Sequence, residues 1–193
     1  MNDIQAPTSL ISNWITAYTT KNLPRVLDSL KILENDKNSD AKSKFLSLVG
    51  AIENIHRDFI QKSLTKQDRE DQVQWLKKVT AELDVEDKII VLEKLKYSYE
   101  PSLKERLLDV YAIVVKLGVP QMASDMLNKI APTRNKEMHS LNTTSNILTF
   151  SELSTVNHLL HIYLKVVILK ILGLSNLEIS SIVGSTYQFR SNY

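Results

Sequence analysis

The chain has 193 residues, 43% of them hydrophobic and 24% charged, which is typical of a folded globular protein and excludes an intrinsically disordered chain. Four glycines and five prolines argue against an all-β fold, and the lack of cysteine excludes disulfides, thiolate zinc sites and a cysteine nucleophile. The formal net charge of +2 gives no bulk signal for a nucleic-acid partner, so any such signal has to be local.

The first predicted elements are two short helices and a loop. Hydrophobic periodicity favours helices over residues 8–19 and 25–33, and the polar side chains of 34–40 compete with helical backbone bonding. A longer helix follows in "DAKSKFLSLVGAIENIHRDFIQKSL", which has an apolar stripe at helical spacing. The stripe consists of Phe45, Leu48, Ile52, Ile55 and Phe59. The opposite, polar face is predicted to carry Glu53, His56 and Arg57.

The middle of the chain contains two short helices and a strong one. The short helices are predicted over 69–82 and 86–97. The strong helix lies in "PSLKERLLDVYAIVVKLG", where Ser102 and Glu105 have capping-box spacing and Gly118 stands just past the end. Its apolar residues repeat every three or four positions, which is the period of an amphipathic helix.

The last third contains the most apolar helix of the chain. A short helix over 121–130 and a loop over 141–148 precede the segment "LTFSELSTVNHLLHIYLKVVILKILG". Thr149 and Glu152 have capping-box spacing, and Gly173 is the predicted stop. The second half of this helix is apolar nearly all round, which indicates a central position in the fold.

A final short helix is predicted over 175–183, because Ser and Glu at its start again have capping-box spacing. No segment has the pattern of a strand. The sequence therefore predicts an all-α helical bundle with peripheral short helices. We expect a single domain over 1–193, with a core at about 39–183 and the N-terminal helices of 8–33 packed on it.

Two sequence features bear on where the protein is located. The most apolar run, from Leu159 to Leu174, is interrupted by His161, Lys165 and Lys170 and is too short to span a bilayer. No N-terminal segment has the pattern of a signal peptide. We therefore expect a soluble, cytoplasmic protein without membrane contact.

The stretch "PTRNKEMHS" carries the strongest candidate chemistry. Metal-independent cleavage of RNA needs a group that moves protons at the 2′-hydroxyl or the 5′-oxygen, and a cation that stabilises charge on the phosphate. His139 suits the first task and Arg134 the second, because a guanidinium holds two phosphate oxygens and stays charged. Neither a cofactor nor a metal is implied by this pair.

The spacing of the pair raises a geometric problem. Five residues at about 100° each place Arg134 and His139 about 140° apart on a regular helix. They converge only if the helix starts, kinks or ends between them, or if a second chain supplies a second pair. Pro132 favours a helix that begins there, which would direct first-turn amides towards an anion.

Other interpretations of the residues stay open. An Arg and a His five apart also fit a solvated helix start. His158 and His161 are three apart on one helix, but no third metal ligand of matching spacing is nearby. The C-terminal segment imitates a helix-turn-helix, although its second helix would be short and would carry one arginine, Arg190.

The segment "RNKEMH" resembles the signature of the HEPN superfamily of all-helical ribonucleases and RNA-binding modules. That signature is an Arg, a polar residue that is often Asn, and a His after four to six intervening residues, which Arg134, Asn135 and His139 match. Three flanking segments, "FLSLVGAIENIHRDF", "PSLKERLLDV" and "FSELSTVNHLLHIYLKVVILKILGLSNLEI", resemble helices of the Apea-like HEPN group. Together the resemblance covers roughly residues 10–183.

The resemblance implies a homodimer in which two Arg-His motifs face each other across a two-fold axis. In such a composite endoribonuclease site His139 is the acid or base, Arg134 clamps the scissile phosphate, and Asn135 orients the site. Glu53 holds Arg134 or His139 in this interpretation, although Glu53 and Arg57 also have the spacing of an ordinary helical ion pair. His56 is a further supporting residue. Cleavage leaves a 2′,3′-cyclic phosphate and a 5′-hydroxyl.

The resemblance also implies partners. The substrate is RNA, with tRNA as one candidate, and the setting is bacterial defence against phage. Lys129 and Lys136 form a small basic cluster beside Arg134 that suits an RNA phosphate. Apea-like proteins commonly carry another domain ahead of the helical one. The sequence leaves open whether an N-terminal sensor domain or a partner outside this chain exists, or whether this chain is a family member without that domain. The alternatives are a HEPN-fold module that binds RNA or protein without cutting, and a helical interaction protein whose motif is accidental.

Overall fold

The computed structural model describes residues 7–20, 23–35, 40–61, 66–95, 100–139 and 145–190. These residues form nine α-helices and one π-helical turn and contain no strand, which confirms the all-α fold. The elements are α1 (Pro7–Thr20), α2 (Leu23–Asn35), α3 (Ala41–Ile55), the π-helical turn (His56–Ile60), α4 (Lys66–Val79), α5 (Val85–Leu95), α6 (Leu103–Val115), α7 (Ser124–His139), α8 (Phe150–Ile171) and α9 (Asn176–Arg190). None of these helices is long and apolar enough to cross a bilayer.

The chain divides into two compact units. The first lies within Met1–Ile60 and Leu103–Tyr193, and it contains every buried hydrophobic side chain found in the described ranges. The second lies within Gln61–Ser102 and contains α4 and α5. The single domain expected over 1–193 stays a prediction.

The core of the first unit is built mainly between α3 and α8, with α2 and α6 beside them. Four of the five side chains in the predicted α3 stripe are buried, and Phe59 in the π-helical turn is partly buried. The buried residues of α8 are Leu153, Val156, Leu159, Leu160, Tyr163, Leu164, Val166, Val167 and Ile168. Each buried side chain of this kind contributes about 1.5–3 kcal/mol. The contact with α8 therefore fixes where α3 lies.

The N-terminal helices pack on this core. The buried side chains of α2 are Leu23, Val26 and Leu30. The side-chain amide of Asn13 in α1 donates a hydrogen bond to the carbonyl oxygen of Leu172, just past α8, at 2.9 Å. At the other end of α8, the Asn157 amide donates to the carbonyl oxygen of Ala41 at 2.8 Å. These two bonds tie α8 to α1 and to the first residue of α3.

The helix ends follow the capping signals in the sequence. The backbone N–H of Thr149 donates to the Glu152 carboxylate at 2.7 Å, and the Glu152 N–H donates to the Thr149 hydroxyl at 3.3 Å. Ser175 and Glu178 repeat this pair at 2.7 and 3.3 Å before α9. The glycines that follow α6 and α8 have φ values of 70° and 93°, a region that favours glycine. The capping boxes predicted at Thr149–Glu152 and Ser175–Glu178 and both predicted stops are thus confirmed.

The prediction of a helix that begins at Pro132 is wrong. One helix, α7, continues from the predicted short helix over 121–130 through the proline to residue 139. A proline inside a helix removes one hydrogen bond and costs about 3 kcal/mol. Leu127, Ile130 and Thr133 are buried at three-residue spacing on both sides of it, so packing of this face offsets the cost. The first-turn amides expected at Pro132 therefore lie within a helix, where they do not form an anion site.

Candidate active site

A loose ion pair joins the end of α3 to α7. Nη2 of Arg134 lies 3.4 Å from Oε2 of Glu53, and the two side chains are 27% and 23% exposed. Nη1 of Arg134 donates to Oδ1 of Asn135 at 3.3 Å. Both distances exceed the 2.7–2.9 Å or so of a strong charge-assisted hydrogen bond. Because a guanidinium has five N–H donors, Arg134 keeps donors for an anion at the surface.

His139 is the last residue of α7 and is exposed. Within the described ranges no hydrogen bond or ion pair to its side chain is found. Both ring nitrogens are therefore open to solvent or to a ligand. A neutral imidazole has one nitrogen that donates and one that accepts, so this side chain is able to move a proton in either direction.

Arg134 and His139 do not converge within one chain. Both lie on α7, which neither begins nor ends between them. On such a helix, side chains five residues apart point about 140° away from each other. Arg134 accordingly contacts α3, whereas His139 faces outward from the end of α7. One copy of the chain therefore does not present both side chains on the same face of α7.

The prediction that His56 lies on a polar helix face is wrong, because its side chain is 1% exposed. His56 follows Ile52 by four residues and Val49 by seven, which places it beside the buried stripe. Its Nε2 lies 2.8 Å from Oδ2 of Asp109 in α6. A carboxylate only accepts hydrogen bonds, so Nε2 carries a proton in this contact. No hydrogen bond from the imidazole to α7 is found within the described residues.

The two lysines predicted to contact RNA differ in their environment. Nζ of Lys129 lies 2.7 Å from Oε1 of Glu152 in α8 and 3.4 Å from Oδ2 of Asp125. The hydrogen bond from Lys129, together with the bonds to Thr149, lowers the pKa of Glu152 from 4.5 to about 2. The same bond raises the pKa of Lys129. Lys129 is thus held in an ion pair inside the chain, whereas Lys136 has no ion pair among the described residues.

A buried hydroxyl fixes α7 against the start of α8. Thr133 is 4% exposed, and its hydroxyl donates to the carbonyl oxygen of Lys129 at 2.7 Å. The same oxygen accepts from the backbone N–H of Leu148 at 2.9 Å. Thr133 directly precedes Arg134, so this contact fixes the part of α7 from which the Arg134 side chain extends.

Sequence reasoning missed two residues of α6 that contact the end of α3. Arg106 is 3% exposed and donates from Nη1 to the carbonyl oxygen of Glu53 at 3.4 Å. Asp109 binds His56 as described above. Charged residues in an amphipathic helix normally face solvent, so the charge of these two residues does not predict their contacts. A weak signal exists for Arg106 alone, which directly precedes Leu107, one of the buried apolar residues of α6.

Metal-ligating residues are scattered in the described part of the chain. No group of three or more His, Asp or Glu side chains there could hold a metal ion. Of the two histidines considered as a metal pair, His158 is exposed and His161 is partly buried on α8. Metal-independent cleavage stays a prediction.

The model of the Apea-like HEPN family matches residues 46–178, which is more than half of the chain. The match begins within α3, ends within α9 and includes Glu53, Arg134 and His139. It is shorter than the span of roughly 10–183 over which the sequence shows the resemblance. No curated protein and no solved structure matches the chain.

Proposed function

The chain belongs to the Apea-like HEPN family, and from this premise we propose that it is an endoribonuclease whose active site is shared between two copies of the chain. Ribonucleases are frequent in the HEPN superfamily. The proposed site combines Arg134 of one copy with His139 of a second copy. In a two-fold dimer the same combination forms twice. If Arg134 of the first copy meets His139 of the second, the symmetry also brings Arg134 of the second copy to His139 of the first.

The divergence of Arg134 and His139 on α7 is the observation that carries this proposal. One side chain is directed by Glu53 and the other is exposed at the end of the helix, with both accessible from outside the chain. A site within one chain would need them on one helix face. Two antiparallel copies of α7 that meet at a two-fold axis supply what one copy lacks.

The reaction assigns a separate task to each side chain. The imidazole of His139 accepts the proton of the 2′-hydroxyl as this oxygen attacks phosphorus, or it donates a proton to the departing 5′-oxygen. The guanidinium of Arg134 binds two phosphate oxygens and stabilises the negative charge that grows on them. The new 2′-O–P bond replaces the P–O5′ bond. The products are a 2′,3′-cyclic phosphate and a 5′-hydroxyl.

The proposed substrate is a short, accessible stretch of RNA, such as a loop of tRNA. Arg134 and Lys136 are two positive charges near the end of α7 on a nearly neutral chain, about 160° apart around the helix, which suits a few separate phosphates rather than a long duplex. As the setting we propose bacterial anti-phage defence or abortive infection, which the resemblance to Apea-like proteins implies. A sensor domain or a partner outside this chain would then control the cleavage.

Mixing two inactive variants tests the shared site. Arg134→Ala and His139→Ala are each expected to cut no RNA in EDTA with total RNA or tRNA as substrate. Unfolded and refolded together, about half of the dimers are mixed, and each mixed dimer has one intact site. About a quarter of the wild-type activity should therefore return. Gel electrophoresis measures the cleavage, and end-group analysis identifies the cyclic phosphate.

Two exposed residues on other helices provide matched controls for this experiment. Arg25→Ala on α2 and His158→Ala on α8 should cut RNA as the wild type does. Absence of recovered activity in the mixture contradicts the shared site. A wild-type protein that binds RNA tightly and never cuts it favours a HEPN-fold binding module instead.

A further inference from the structure

The end of α3 is fixed by two contacts from one face of α6. Arg106 donates to the carbonyl oxygen of Glu53 at 3.4 Å, and His56 donates to the Asp109 carboxylate at 2.8 Å. Both contacts join residues that are 53 apart in the sequence. The second contact lies three residues, or about one helical turn, after the first along both segments. Two contacts one turn apart set both the position and the rotation of the α3 end relative to α6.

Glu53 is held through its backbone and through its side chain. Its carbonyl oxygen accepts from Arg106 and from the backbone N–H of His56, and its carboxylate contacts Arg134. A shift of the backbone at Glu53 therefore moves the carboxylate that directs the guanidinium. A displacement of about 1 Å in such a group lowers a reaction rate by up to about 100-fold.

The hydrogen-bond pattern of the helix changes three residues after Glu53. From His56 to Ile60 the chain forms a π-helical turn, in which N–H groups bond five residues back instead of four. Next to this junction the carbonyl oxygen of Glu53 accepts from the His56 N–H and from the Arg106 side chain. π-Helical turns are rare in proteins overall, and a large share of those that occur lie at functional sites.

The residues that make these contacts are costly choices for stability alone. Arg106 and His56 are 3% and 1% exposed, and Nδ1 of His56 has no hydrogen-bond partner among the described residues. Burial of a polar side chain costs free energy of desolvation, which an apolar side chain of similar volume would avoid. The hydrogen bonds of their polar groups do fix the orientation of the bonded segments, which an apolar side chain does not.

We propose that Arg106 and the His56–Asp109 pair are positioning residues, which hold the end of α3 so that Glu53 directs Arg134 towards the RNA phosphate. The consequence for cleavage rests on the proposed function. The orientation of the Arg134 guanidinium is a property of the folded chain and is measurable without any RNA.

The first test follows the guanidinium itself by NMR of the isotope-labelled full chain. Ordered Nη groups give separate resonances, assigned to Arg134 through their loss in Arg134→Lys. Asp109→Ala should merge or broaden them, and Asp109→Asn, which keeps an acceptor for Nε2 of His56, should restore them. Asp109 is 58% exposed, so these variants are expected to fold. Asp28→Ala, an exposed aspartate on α2, is the matched control.

The second test measures cleavage in two backgrounds. Asp109→Ala should lower kcat about 10-fold and leave KM within about twofold, because orientation is lost rather than RNA binding. In a Glu53→Gln background the same substitution should change kcat by less than about twofold, because the group through which Asp109 acts is already absent.

The outcomes separate this inference from the proposed function. Unchanged Arg134 resonances in Asp109→Ala overturn the positioning role, whether or not the protein cuts RNA. An equal loss of kcat in both backgrounds also overturns it. Failure of the wild type to cut RNA refutes the proposed function, and the NMR result then decides the positioning role alone.

Discussion

Two segments of α7, residues 124–133 and 134–139, carry similar side chains and use them differently. In the first segment Lys129 is paired with Glu152, and Thr133 is bonded to Leu148. In the second segment Arg134 makes a longer contact with Glu53, and His139 is exposed at the end. Close contacts in the first segment place the helix, which leaves the polar groups of the second segment available for a ligand. Substitutions in the first segment should therefore affect stability, and those in the second segment should affect activity.

The largest expected effect follows removal of the imidazole. His139→Ala should lower the single-turnover rate of RNA cleavage by about 100- to 10,000-fold, because proton transfer contributes this much. The melting temperature should not change, because the side chain is exposed and makes no hydrogen bond within the described residues. A variant with normal cleavage would remove His139 from the active site.

Replacing the guanidinium tests the second segment of α7, residues 134–139, in another way. Arg134→Lys keeps the positive charge but loses the fork that holds two oxygens. The value of kcat/KM should fall by about 100-fold, as it does when one donor to a developing charge is removed. Full activity of the lysine variant would mean that charge alone is needed at this position.

The first segment of α7, residues 124–133, should respond in stability instead. Thr133→Val leaves the backbone N–H of Leu148 without its acceptor, and it should lower the free energy of unfolding by about 1–3 kcal/mol in urea titrations. Thr155→Val is the matched control. Its exposed hydroxyl donates to the carbonyl oxygen of Ser151 four residues earlier in α8, as the Thr133 hydroxyl donates to that of Lys129 in α7. That control should change the value by less than about 0.5 kcal/mol. Cleavage per folded molecule should stay normal in both variants.

The smallest effect concerns pH. The pKa of Glu152 is lowered in the folded chain to about 2 from an ordinary 4.5, so the ionised carboxylate stabilises the fold above pH 4.5. This contribution is lost as the pH falls towards about 2. The difference in melting temperature between the wild type and Glu152→Gln should therefore be largest near neutral pH and shrink on acidification. A difference independent of pH would mean that the carboxylate is not the stabilising group.

Local signals explain what the sequence predicts correctly. Thr149 with Glu152, and Ser175 with Glu178, cap their helices through bonds that span three residues, so a short window contains all the information. The α3 stripe is equally local, because helical spacing alone places its side chains on one face. The pairing of Arg134 with Glu53 is different, since it joins residues 81 apart and was expected from family resemblance alone.

Distant contacts explain what the sequence does not reveal. Pro132 lies inside α7 because Ile130 and Thr133 are buried on either side, and this burial outweighs the usual signal of a proline. His56 and Arg106 bond to partners 53 residues away, so local polarity does not predict their environment, and only the spacing of His56 from Ile52 indicates that it lies beside the buried stripe. Titratable residues beside a core stripe are the positions where sequence patterns mislead most.

The bond between Thr133 and Leu148 makes the positions of two helices depend on each other. It joins residues 15 apart in the sequence and links α7 to the residue that precedes the cap of α8. A displacement of the start of α8 is therefore passed through the Thr133 hydroxyl to the helix that carries Arg134 and His139.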